Sequence, residues 1–187
     1  MDPWFRSTIR SEVNLQYWQL LPNGAGKDHW FWTKTIAPSS TDYIATLPDP
    51  AVPSSGSAQV RASLHGYTDA PQNPDHHTRV SFNGTQVSDA TWNGMVPFLQ
   101  EATVAAPLVI GGQNILHVDQ IPDIGAAVDG IYLDWVEVSY DRYVIAVADD
   151  LCLATAPRRK SPSRFAASRR RISRSSMSPI RRPRAAW

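Results

Sequence analysis

The sequence predicts an all-β protein, an antiparallel two-sheet β-sandwich followed by a disordered basic C-terminal tail. Three observations predict it. Residues 1–150 carry short runs in which apolar and polar side chains alternate with a period of two. Clusters of Gly, Pro, Asn and Asp separate those runs at the spacing of sandwich turns. A sustained 3.6-residue apolar period, the mark of a long amphipathic helix, is absent from the same stretch.

Taken in order, Val13, Leu15 and Tyr17 alternate with Glu12, Asn14 and Gln16 and predict a first strand. Ala58, Val60, Ala62 and Leu64 alternate with Gln59, Arg61, Ser63 and His65 and predict a second. Val80 and Phe82 lead into Asn83-Gly84, and Thr85 to Val87 forms the return strand. Asn-Gly accepts positive φ at both turn positions, which makes this the strongest hairpin signal in the chain. Gly111-Gly112-Gln113-Asn114 turns into a strand with Leu116 and Val118 inward. Ile131 to Tyr140 is the longest strand. Its alternation slips, with Ile131, Leu133 and Trp135 on one phase and Val136, Val138 and Tyr140 on the other. Such a strand is covered on both faces or bulged near Trp135-Val136. Tyr143 to Val147 predicts one more short strand. The long connections at 48–57, 66–77 and 119–130 gather at the ends of the sandwich, where such scaffolds carry function.

Charge divides the chain in two. Residues 157–187 hold eleven basic and no acidic residues, leaving seven basic against seventeen acidic in residues 1–156, a net charge of −10. The tail has almost no apolar period to offset its chain entropy, so it is expected to be disordered. It reads either as a polybasic arm, contacting nucleic acid non-specifically, or as GC-rich DNA translated out of frame. The organisation expected is an N-terminal extension over 1–10, a β-sandwich over 11–150 and a tail over 151–187. No run approaches the roughly 18 apolar residues of a spanning helix, and the single Cys excludes a disulfide scaffold. Met1 to Arg6 does not read as a secretory signal.

The runs GKDHWFW (26–32), PDHHTRVSFNGT (74–85), ATWNG (90–94), GGQNILHV (111–118) and GIYLDWVEVSYDR (130–142) together resemble a bacterial β-sandwich module. The order of motifs is similar to the accessory domain that precedes the peptidase domain in gingipain-like (C25) cysteine peptidases and related secreted multidomain proteins. It also looks like galactose-binding-type jelly rolls. The resemblance covers about residues 8–150. It implies a non-catalytic module that packs against a neighbouring domain of a secreted or cell-surface parent. It implies an alternative as well, a carbohydrate- or cell-surface-binding jelly roll. The peptidase part is missing, because the pattern after Tyr140-Asp141-Arg142 gives way to the Arg-rich tail.

Enzyme chemistry finds little support. Cys152 sits beside the compositional break with no base near it in the pattern, and His65-Gly66 falls on an alternating strand. His76-His77 and His29 are candidates for a metal, but His76 and His77 are adjacent on a strand and point to opposite faces, so these two cannot easily ligate the same ion. Asp134 and Glu137, three apart, are expected on opposite faces rather than across a cleft. Asn83-Gly84-Thr85 fits a glycosylation sequon that the hairpin turn already explains. Neither a P-loop nor a GxGxxG motif occurs. Oxygen-rich acidic loops suit structural calcium, with Asp69, Asp75, Asp123 and Asp129 as candidate ligands. Sugar faces stack on exposed rings, for which Trp18, Trp30, Trp32, Trp92 and Tyr67 are candidates.

Removing residues 157–187 is expected to leave the melting temperature of the body almost unchanged. The same deletion should abolish any nucleic-acid retention of the full chain, and that retention should fade steeply with salt. Unfolding on deletion after Ala156 would refute the disorder of the tail.

Overall fold

The computed structural model describes residues 4–51 and 56–144. Cys152, the tail for which a nucleic-acid contact is expected, and all but the start of the strand expected over 143–147 lie outside the described residues. Eleven strands run in chain order: β1 (Trp4–Glu12), β2 (Gln16–Tyr17), β3 (Trp30–Phe31), β4 (Thr33–Ile36), β5 (Ser39–Leu47), β6 (Ser57–Gly66), β7 (His76–Phe82), β8 (Thr85–Trp92), β9 (Pro97–Ala105), β10 (Gly112–Gln120) and β11 (Gly130–Tyr143). A single 3-10 turn at Ala106–Leu108 is the only helical element among the described residues. No helix there is long and apolar enough to cross a membrane.

All strand pairings are antiparallel. The first sheet runs β1-β11-β6-β9, with β4 also on β11; the second runs β5-β10-β7-β8. Their inner faces supply the main core. Ala58, Val60, Ala62 and Leu64 of β6 and Val136, Val138 and Tyr140 of β11 meet Tyr43, Ala45, Val80, Phe82, Leu116 and Val118 of the second sheet. β2 and β3 form a separate two-stranded ribbon.

β11 carries the expected bulge. Its register on β6 jumps from Leu133↔Leu64 to Val136↔Ala62, so Asp134 and Trp135 together oppose Ser63. The extra residue shifts the phase, and both Leu133 and Val136 reach the main core. Two expectations at the N-terminus are corrected. β1 pairs with β11 from Trp4↔Tyr143 to Glu12↔Trp135. Residues 4–10 are therefore an edge strand of the sandwich rather than an extension. The alternation of Val13, Leu15 and Tyr17 does not mark a core strand, because all three side chains are exposed. They belong to an excursion between β1 and β3.

The hairpin stands as read. Asn83 (φ 47°) and Gly84 (φ 81°) join β7 to β8. The Asn83 amide nitrogen donates to Leu108 O and Asn114 Oδ1, each at 2.8 Å, and its Oδ1 accepts from Ile115 N at 2.9 Å. That amide is committed to the fold, so it is not free for glycosylation. A Cβ on Gly84 would meet nothing within 4 Å, which leaves backbone strain as the cost of substitution. Gly84→Val is expected to destabilise by about 1 kcal/mol or more in chemical denaturation, because β-branched residues resist positive φ.

Candidate functional site

The excursion between β1 and β3 folds back over the outer face of the first sheet. Trp18, Leu21 and Phe31 pack there on Tyr132 of β11 and make a second, smaller core. Trp18 stacks on Tyr132 at 5.0 Å between centroids, and Phe31 lies 4.7 Å from the same ring. His29 fixes the loop: its Nδ1 is 2.7 Å from Trp18 O and its Nε2 is 2.9 Å from Gly24 O. A Cβ on Gly24 would lie 2.8 Å from His29 Nε2, so the bare backbone is what allows this approach.

On this floor stands an aromatic ledge. Tyr17 is 56% and Trp30 42% exposed. Their rings sit 5.0 Å apart, and His29 stacks against Tyr17 at 5.7 Å. Leu15 and Leu20, in the same excursion, are exposed as well. Asp28 Oδ1 accepts from Trp30 N at 3.0 Å and holds the turn into β3.

An acidic corner adjoins the ledge. Burial pushes the Asp134 carboxyl up, the charges of Glu12 and Asp28 push it further, and Arg10 and the Ser63 hydroxyl pull it back, leaving it at about 6. The Arg10 guanidinium lies 3.9 Å from the centre of the Trp135 ring. Arg10 and Arg61 also grip Glu137, at 3.3 and 3.2 Å. The expectation that Asp134 and Glu137 point to opposite faces is therefore corrected. The bulge turns Asp134 to the outer face, where Arg10 interacts with both. Glu137 is held between two guanidinium groups.

The other aromatic candidates are occupied. Trp18 and Trp92 are buried at 8% exposure. Trp92 stacks on Phe98 and Trp32 packs edge-on against Tyr43. Tyr67 is half-buried, with Lys34 Nζ 3.4 Å from its ring centre and Trp18 and Tyr132 at its sides. Of the rings singled out in the sequence, Trp30 alone offers an open face. Tyr17, its neighbour on the ledge, belongs to the alternating run that predicts a first strand and lies in β2.

The four acidic candidates separate into two pairs. Asp75 and Asp129 are buried. Asp75 accepts from Ala70 N and Gly94 N, both at 2.8 Å, so it ties two connections together. Asp129 Oδ1 lies 2.5 Å from His76 Nδ1 and accepts from Gln120 Nε2 at 2.9 Å. Asp69 and Asp123 are exposed. Asp69 lines a groove of about 510 Å³ with Tyr67, Gln72, Met95 and Val128. Asp123 lies 2.6 Å from His77 Nδ1, while Asp89 holds Nε2 at the same distance. Burial would lower both histidines, and the paired carboxylates outweigh it and raise them. Among the described residues, no group of three or more His, Cys, Asp or Glu could hold a metal ion. His65 is buried against Trp18 and Phe31, and burial lowers it.

No protein-family model matches the chain, and no curated protein matches its sequence. Solved structures do match. Dimeric latent PorU from Porphyromonas gingivalis superposes with a TM-score of 0.56 at 13% identity, over 77% of this chain and 13% of that one. A β-porphyranase of glycoside hydrolase family 86 from Bacteroides plebeius gives 0.44 at 16% identity, over 76% and 21%. A family 36 carbohydrate-binding module in complex with calcium and xylotriose gives 0.40 at 12% identity, over 72% and 98%. The PorU superposition shows a shared β-sandwich fold, and this chain spans a small part of PorU's length.

The acidic corner makes a pH prediction. Asp134 in the fold lies above its ordinary 3.8, so the unfolded chain gives up that proton first. Its ionisation costs stability as pH rises from about 4, and the full cost is present above about pH 6. Asp134→Asn is expected to raise the melting temperature near neutral pH, with the gain vanishing below about pH 4. An equal gain at both pH values would refute the strained carboxyl.

Proposed function

We propose that the described domain is a non-catalytic β-sandwich module of a larger secreted or cell-surface protein, and that it holds a saccharide on the Tyr17–Trp30 ledge. One observation carries this reading. Two exposed rings, 5.0 Å apart, stand on a buried aromatic floor beside a half-buried carboxyl. Sugar C–H faces stack on such rings, and sugar hydroxyls pair with neighbouring carboxyls. The floor fixes the platform in advance, so little ordering entropy is lost on binding. The module's place within a longer chain is supported by the fold's recurrence in 13% of PorU. The gingipain-like parentage rests on the sequence motifs.

A second reading uses the same excursion. Leu15 and Leu20 are 61% and 82% exposed, more apolar area than a sugar platform needs. That excess favours the ledge as a packing surface for a neighbouring domain of the parent.

A glycan array probed with the full chain is expected to retain saccharides. Trp30→Ala should weaken binding roughly three- to tenfold, the loss of one stacking contact. Unchanged binding by the variant sinks the ledge as the sugar site. A blank array, with Trp30 fluorescence shifting only when an adjoining domain is appended, supports the packing reading instead.

A further inference from the structure

The connection from β10 to β11 is tied at its two ends and hardly at all between them. Ile121 N donates to His77 O at 2.9 Å, and Ala37 N donates to Asp129 O at 2.8 Å. Gln120 Nε2 donates to Asp129 O and to Asp129 Oδ1. Between these ties, residues 122–128 make one hydrogen bond to the rest of the described residues, from the His77 ring to Asp123. Ala127 and Val128 of the same segment form a wall of the groove of about 510 Å³ that Tyr67, Gln72 and Met95 also line.

Both ring nitrogens of His77 rest on carboxylates. Nδ1 is 2.6 Å from Asp123 Oδ1, and Nε2 is 2.6 Å from Asp89 Oδ1. An imidazolium donates through both nitrogens, a neutral imidazole through one. With a single proton, the lone pair of the other nitrogen would press on a carboxylate oxygen at that distance, so one contact has to open. Asp89 is held independently, because Arg79 Nε donates to its Oδ2 at 3.0 Å and Gln86 Nε2 at 3.5 Å. The Asp123 side chain is 58% exposed and has no other hydrogen-bond partner among the described residues. Asp123 is therefore the partner that lets go.

The charges around the ring are few. Asp123 faces it from the connection and Asp89 from β8. Arg79 stands two residues along the same face of β7, and Asp119 of β10 lies opposite Arg79. His76 turns to the other side, toward Asp75 and Asp129. Burial pulls His77 down, and the two carboxylates more than offset it, leaving it above its ordinary 6.5.

We propose that His77 and Asp123 form a proton-operated latch on the 122–128 segment, closed while the ring carries two protons and open when it carries one. A folded-state value above the unfolded one gives stability that is complete below about pH 6.5 and is lost as pH rises through the folded value. The groove wall is thus fastened in mild acid and released in mild alkali.

A spin label on Ala127→Cys, in the full chain with Cys152→Ser, reads the mobility of the wall. Between about pH 6 and about pH 10 the label's correlation time should shorten about twofold or more. The midpoint should coincide with the titration of the His77 ring followed by NMR. Asp123→Ala should be mobile throughout. Asp123→Asn should stay immobile throughout, because its amide accepts from the imidazolium and turns to donate to the neutral ring. His117 is the control: it lies between Asp42 and Asp119 at 2.6 and 3.0 Å on β10, away from the connection. His117→Gln should leave the response of the wall unchanged. A label whose mobility stays constant while His77 titrates overturns the proposal. So does an Asp123→Asn or Asp123→Ala variant that keeps the wild-type pH response, which would place control at His76, or a response that His117→Gln removes.

Discussion

Coverage of β11 on both faces is the constraint on which the rest of the molecule depends. A strand in an ordinary sandwich buries one face and wets the other. β11 instead sends Ile131, Leu133, Val136, Val138 and Tyr140 into the main core and Tyr132 into the smaller one. A strict period of two cannot place both Leu133 and Val136 inward. The bulge at Asp134-Trp135 resolves the conflict and leaves both of its residues opposite Ser63 on the outer side. The same local defect thus completes the core, turns Asp134 and Trp135 outward, and creates the half-buried carboxyl beside the ledge.

Buried polar groups hold the loop end. Asp75 and Asp129 lie where the two long connections at 66–77 and 119–130 meet the short link between β8 and β9. The Asp75 carboxylate accepts two hydrogen bonds from protein donors and the Asp129 carboxylate three. Consecutive histidines of β7 then grip one connection from opposite sides, His76 through Asp129 and His77 through Asp123. Removing one partner would strand a buried charge, which costs more than the pair contributes. Acidic residues in long loops suggested calcium from the sequence; two of the four, Asp75 and Asp129, are staples between connections.

What was legible in the sequence follows from how local each signal is. Asn83-Gly84 specifies its turn by its own φ preferences, and β6 and β10 show clean alternation because each buries one face. The phase slip in β11 was visible as well, since it is written in consecutive residues. β1 was missed because its inward positions include Ser7, beside only Phe5 and Ile9, too few apolar residues to mark a strand. Val13, Leu15 and Tyr17 misled for the converse reason. Alternation reports a pleated surface with one apolar side, and nothing in the run itself says whether that side meets a core or solvent. Which rings would be free could not be read either. The burial of Trp92, Trp32 and Tyr67 depends on Phe98, Tyr43 and Lys34, distant in the sequence or brought over by another strand.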